Sequence, residues 1–194
     1  GLRLQFGTAI KPMHAGFAAR AGLLAARMAE ANIKGADEVL AGDIGLLSLF
    51  TEQSVNAIDV KQWKKQWSII SPGLWYKKYP CCSAAYHAID AADELRQKYK
   101  LTLDQIEAIT IIYPPRGDTA LIHRQPNNGV EGKFSAEYIT ILKLIQDELT
   151  FEQFSARAIP IDIQAVIKKT TRVYRKDIVA SEQAMPTGRY TQLE

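Results

Sequence analysis

The stretch 12–32 constrains this chain more than any other. Alanine and leucine dominate it, and both are strong helix formers. Ala18, Ala19, Ala21, Ala25, Ala26 and Ala29 ring the expected helix with small side chains. Such a helix can be approached closely on several sides, so it is expected inside a bundle. Gly16 and Gly22 each cost it about 1 kcal/mol against alanine, which close packing would offset. Arg20 and Arg27 share one face, and Glu30 lies within pairing reach of Arg27.

The start of that helix is where chemistry is expected. In GTAIKPMHAG an irregular strip turns into helix: Lys11 comes first, Pro12 suits the first turn, and His14 lies inside it. A helix start leaves N–H groups unpaired and carries partial positive charge, which favours a nearby carboxylate or phosphate. With Lys11 added, the corner is a candidate anion site. The alternative is a capped helix start with a solvated lysine.

After short helices expected at 37–41 and 45–50, the texture changes. Residues 54–73 carry Trp63, Trp67 and lysines without a clear period, and read as a linker. Residues 74–79 read as a short strand. Ser83 is placed to cap a helix over 84–99, whose apolar stripe is Ala85, Ala88, Ile89, Ala92, Leu95 and Tyr99. IEAITIIY at 106–113 is rich in β-branched residues and stops at Pro114-Pro115, the pattern of a strand with a hard end. A Gly/Pro/Asn loop follows, then a helix over 135–148 bearing Tyr138, Ile141, Leu142 and Ile145 on one side. Thr150 and Gln153 fit a capping box. A helix at 161–169, a strand at 171–174 and a loose polar tail from Ser181 complete the chain, with Leu193-Glu194 read as a cloning scar. Helices first and mixed elements afterwards give an α+β class: an all-α helical-bundle portion over 1–58, then a smaller α+β domain over 59–194.

Composition excludes several function classes. The 194 residues suffice for one sizeable core or two small ones. A net charge of +3 is too small to argue for nucleic acid, and the Lys61, Lys64, Lys65 group and the basic group at 168–175 read as solvated faces. No apolar run reaches the ~18–20 residues of a membrane helix, so no membrane partner is expected. Cys81 and Cys82 are the two cysteines, and adjacent cysteines pair only under strain. The chain is therefore not a disulfide scaffold, and a reducing cytoplasm is expected. With no second Cys/His cluster, no metal site is expected either.

Three blocks carry a resemblance. GTAIKPMHAGFAARAGLLAARMAEANIKGADEVLAGDIGLLSLF, YKKYPCCSAAYHAIDAADEL and EGKFSAEYITILKLI resemble, in that order, segments of MmgE/PrpD-family proteins. That family includes 2-methylcitrate dehydratase, cis-aconitate decarboxylase and iminodisuccinate epimerase. The resemblance implies a helical domain carrying a smaller α+β lid, with the active site between them. It implies that this chain, which starts with Gly1, is an internal segment of a longer protein. It also implies proton removal next to a carboxylate on a small di- or tricarboxylate, with no cofactor, and a homodimer.

By the same resemblance, Lys11 and His14 match a K-P-x-H motif implicated in the family's active site. Lys11 would grip a carboxylate or shuttle a proton; His14 would touch substrate or bond to backbone. Lys77 matches a lysine ahead of the aromatic–proline pair and would hold a second carboxylate. Lys78 is its alternative, because strand alternation sends the two to opposite faces. Cys82 stands where relatives carry histidine or cysteine, as a thiol of lowered pKa or as a small buried residue. His87 lies one place after Tyr86, the position at which relatives have histidine, and is turned about 100° around the helix. Tyr138 matches a tyrosine that faces the active site, and Lys133 lies near a basic or polar position. The expected reaction is dehydration of the 2-methylcitrate type. The alternative is a non-catalytic binding or dimerisation module that keeps only the scaffold. Acidic and histidine residues of the family's site lie upstream of this segment, so negligible turnover is expected of the chain alone.

Overall fold

The computed structural model describes residues 2–37, 39–51, 65, 67–177 and 191–194. Trp63, Lys61, Lys64 and most of the polar tail lie outside them. The chain divides into two compact units, Gly1–His14 with Lys77–Glu194, and Ala15–Tyr76. Among the described residues the architecture is mixed helix and sheet, as the α+β reading expects. No described helix is long and apolar enough to cross a membrane.

The larger unit is built on one apolar strand. β1 (Ile109–Tyr113) buries Ile109, Ile111, Ile112 and Tyr113, so both its faces are covered. β2 (Thr170–Tyr174) pairs with it in parallel, Ile109 opposite Thr170 and Tyr113 opposite Tyr174. β3 (Gln192–Leu193) pairs antiparallel on the other edge, Ile111 opposite Leu193. Leu193 and Glu194 are thus part of the sheet, not an appendage: Thr110 and Glu194 exchange two backbone hydrogen bonds of 2.7 and 3.0 Å.

The expected strand at 106–113 starts three residues late, at Ile109. Thr102 and Gln105 form a capping box around a short 3-10 helix at Leu103–Gln105, and the Ile106 N–H bonds to Leu103. The expected strand at 74–79 joins no ladder. Tyr79 instead sets its ring edge-on to Tyr86, whose hydroxyl donates to the Tyr79 carbonyl at 2.9 Å.

Two helices close the core over β1. α2 (Tyr86–Tyr99) buries Ala88, Ile89 and Ala92, and small alanines let α4 (Ala136–Ile145) approach closely. Its first turn is a 3-10 turn at Ser83–Ala85, and the Ser83 side chain caps neither segment. α4 is buried from Ala136 to Leu144, including Glu137 and Lys143. Ser135, expected as the first helical residue, instead caps the Tyr138 N–H at 3.2 Å, and the helix expected to run to 148 ends at Ile145. Lys143 pairs with Asp93 of α2 at 3.0 Å, so the polar side of α2 serves the helix junction as well as solvent. α3 (Gly129–Gly132) is a single turn capped by Asn128, and α5 (Ile161–Ile167) contributes Ile163, Val166 and Ile167 to the core.

The smaller unit holds most of α1 (Ile10–Glu30), which begins in the larger one. α1 ends on Asn32 in the left-handed region (φ 60°), with the Ile33 N–H reaching back to Met28. No residue of α1 is buried, and Phe17, Leu23, Leu24 and Met28 are exposed. The expected burial in a bundle is not met by the described residues. Residues 39–41 form bends rather than the expected short helix, followed by a 3-10 turn at Leu46–Leu49.

Candidate functional site

The strip before α1 docks onto the turn 132–134. Phe6 stacks on Phe134, with ring centroids 4.7 Å apart. The Lys11 ammonium sits over both rings, 5.5 Å from Phe6 and 5.7 Å from Phe134. That is cation–π distance, so the rings hold the charge in place without neutralising it. No carboxylate pairs with Lys11 among the described residues. Thr8 prepares the helix start: its hydroxyl accepts from the Ile10 N–H at 3.3 Å and donates to the Gln5 carbonyl at 2.8 Å. His14 follows one turn after Lys11, half-buried.

The same turn collects the other two blocks. The Cys82 N–H donates to the Lys133 carbonyl at 3.0 Å. A Cβ on Gly132 would lie 2.4 Å from the Tyr138 ring, so the ring packs directly on bare backbone. Lys11, Cys82 and Tyr138, from three separate blocks, therefore all bear on 132–134. Lys77 is one step away: its ammonium donates to the Cys81 carbonyl at 2.7 Å and meets no carboxylate among the described residues. Lys78 is committed elsewhere, to Asp90 at 2.8 Å, and that hydrogen bond raises its pKa above the ordinary lysine value.

The remaining candidates are placed as follows. Burial pushes the Cys81 thiol up to about 12, with Cys82 adding to it and Lys77 opposing. Cys81 is thus a protonated core residue, while Cys82 is half-buried beside it. His87 is half-buried on α2. Tyr138 is buried, its hydroxyl donates to the Gln153 carbonyl at 2.8 Å, and burial raises its pKa. It also lines a depression with Leu142, Gln146, Gln153 and Arg157, which includes neither Lys11 nor Lys77.

Behind the turn lies an ion cluster that the sequence reading missed. Arg172, assigned there to a solvated basic group, has a side chain only 1% exposed. Its guanidinium grips Glu137 with two bonds of 2.7 and 2.5 Å. It also donates to Asp118 at 2.8 Å and to the Leu121 carbonyl at 2.7 Å. Burial disfavours its charge, but Glu137 and Asp118 outweigh that and raise its pKa. Tyr174 donates to Asp118 at 2.8 Å, and Tyr113 points its buried hydroxyl into the region without a hydrogen-bond partner among the described residues. Burial raises the Tyr113 pKa. The cluster ties β2 to the first turn of α4 and to the loop that carries His123.

The profile of the MmgE/PrpD C-terminal domain matches residues 79–193, more than half of the chain. The chain belongs to the MmgE/PrpD family. It is 24% identical over 189 residues to a cis-aconitate decarboxylase-like protein of Aspergillus oryzae, covering 89% of this chain and 39% of that protein. It is 25% identical over 166 residues to a cis-aconitate decarboxylase of Aspergillus terreus, covering 78% of this chain and 34% of that protein. The chain thus spans well under half the length of the MmgE/PrpD relatives it matches. The matched domain holds β1 to β3, the 132–134 turn and the Arg172 cluster, whereas Lys11, His14, Lys77 and Lys78 precede it.

Proposed function

We propose that this chain is the central and lid portion of an MmgE/PrpD lyase acting on small di- or tricarboxylates. One observation carries the reading. The Lys11 ammonium is fixed over two stacked rings, at a helix start, with no carboxylate partner among the described residues. A cation held but not neutralised can receive an anionic substrate without first breaking an ion pair. Lys11 grips one carboxylate, and Lys77, turned toward the 81–82 strip, grips a second. Holding carboxylates in this way stabilises the negative charge that develops when a proton leaves the neighbouring carbon. His14, one turn after Lys11, stands within the same corner as a proton carrier. Cys82 and His87 are assigned to further substrate contacts. Tyr138 joins as a donor only if its bond to Gln153 opens; otherwise it supports the turn from behind.

One named relative is a cis-aconitate decarboxylase and the other is named as like one, which favours a tricarboxylate with an unsaturated or hydroxylated carbon. Loss of water from a 2-methylcitrate-like substrate and loss of carbon dioxide from cis-aconitate both start from the same gripped carboxylates. The upstream half of the parent supplies further acid–base groups, so this chain by itself turns over neither compound.

The test is binding first and products second. Saturating citrate or cis-aconitate at about a hundred times Kd should raise the melting temperature of the chain by about 5–10 °C. Lys11→Ala and Lys77→Ala should remove most of that shift, and Lys169→Ala should not. The full-length parent should then convert one of the two tricarboxylates, read by NMR of the product. Equal binding by wild type and Lys11→Ala would refute the proposed grip.

A further inference from the structure

We infer that His123 is a positioning residue for Lys11, an inference that rests on the anion-gripping role proposed above. His123 lies in the loop after β1 and is half-buried. It is the one described residue that bonds to both members of the aromatic pair beneath the lysine. Its backbone N–H donates to the Phe134 carbonyl at 3.1 Å. Its ring Nε2 lies 2.8 Å from the Phe6 carbonyl. A carbonyl can only accept, so Nε2 carries the proton and donates. Phe6 and Phe134 are far apart in the chain, and His123 brings them into the stacked arrangement on which the Lys11 charge rests.

The docking is specific to the backbone beside it. Gly7, next to Phe6, has φ +81°, and a Cβ there would meet His123 Nε2 at 2.5 Å and the Glu131 Cα at 3.0 Å. Only glycine lets the strip lie this close to the imidazole. The Arg172 cluster supports the same loop through the Leu121 carbonyl, two residues before His123. The lysine is therefore placed by a relay: buried guanidinium, loop, imidazole, aromatic pair, ammonium. His123 touches no substrate in this account; it sets where the cation stands.

The experiment uses the intact chain with lysine labelled in its side-chain carbons, and citrate as the probe. In the wild type, the methylene protons next to the Lys11 ammonium should carry a ring-current shift, because the ammonium lies 5.5 and 5.7 Å from the two ring centroids. His123→Gln keeps an N–H donor at similar reach, so it should retain that shift and bind citrate within about threefold of wild type. His123→Leu removes the donor, so it should lose the shift and weaken citrate binding about tenfold. The methyl resonances of Ile111 and Ile139 should stay in place, which separates loss of position from loss of fold. A retained ring-current shift in His123→Leu overturns the inference. So does a lost shift with unchanged citrate affinity, provided Lys11→Ala does weaken binding. If Lys11→Ala also binds citrate normally, the gripping role of Lys11 fails, while the ring shifts still decide whether His123 holds the platform.

Discussion

Replacing Arg172 with methionine removes the centre of the buried ion cluster. The guanidinium makes four contacts of 2.5–2.8 Å to Glu137, Asp118 and the Leu121 carbonyl. Its side chain is 1% exposed and that of Glu137 2%, so water cannot replace the lost bonds. Methionine has a similar length and fills most of the space, so the cost is electrostatic rather than a cavity. Breaking one partner out of a buried pair costs about 3–5 kcal/mol, because the other charge stays behind. For a chain of this size that corresponds to a fall of about 6–20 °C in melting temperature. Adding Glu137→Gln and Asp118→Asn removes the stranded charges and should recover about 1–2 kcal/mol. Urea unfolding followed by circular dichroism, with calorimetry for the melting temperature, reads all three proteins. A single variant that loses under about 1 kcal/mol, or a triple variant less stable than the single, would refute the reasoning.

Three further outcomes follow from other parts of the molecule. The Cys81 thiol is held up to about 12 from an ordinary 9.0, so the unfolded chain ionises it first. Its contribution to stability is complete below pH 9 and is lost as pH climbs toward 12; Cys81→Ala should flatten that alkaline decline, and a thiol reagent at pH 8 should label Cys82 alone in the native chain. Gly132→Ala puts a methyl 2.4 Å from the Tyr138 ring and should cost about 1–3 kcal/mol, with the Tyr138–Gln153 bond lost by proton NMR. Thr102→Ala removes one half of a capping box and should cost about 1 kcal/mol by urea unfolding.

Local signals were legible in the sequence, and distant ones were not. β1 could be read because β-branched residues run up to a Pro-Pro stop, and α4 because an apolar stripe recurs at helical spacing. Both depend on neighbours within a few residues. The start of β1 was misread because Thr102 and Gln105, a recognisable capping pair, went unnoticed. Arg172 could not be read as buried: its partners Glu137 and Asp118 lie 35 and 54 positions away, and a charged residue in a strand looks like a solvated one. His123 meets Phe6 across 117 positions, from a loop whose glycines and asparagines carry no period. The Lys11 corner was legible as a helix start with a cation. That two phenylalanines would hold the cation in place depended on a contact between segments far apart in the sequence.

The short C-terminal strand gives β1 two differently guarded sides. The Ile109 amide points to the Lys169 carbonyl beside β2, and the next amide, Thr110, points to the Glu194 carbonyl. One is shielded by a five-residue ladder, the other by a ribbon two residues long. Adjacent amides on one strand therefore act as separate clocks. If Thr110 trades its hydrogen for deuterium well before Ile109, the last residues peel away on their own while the rest of the sheet stays shut.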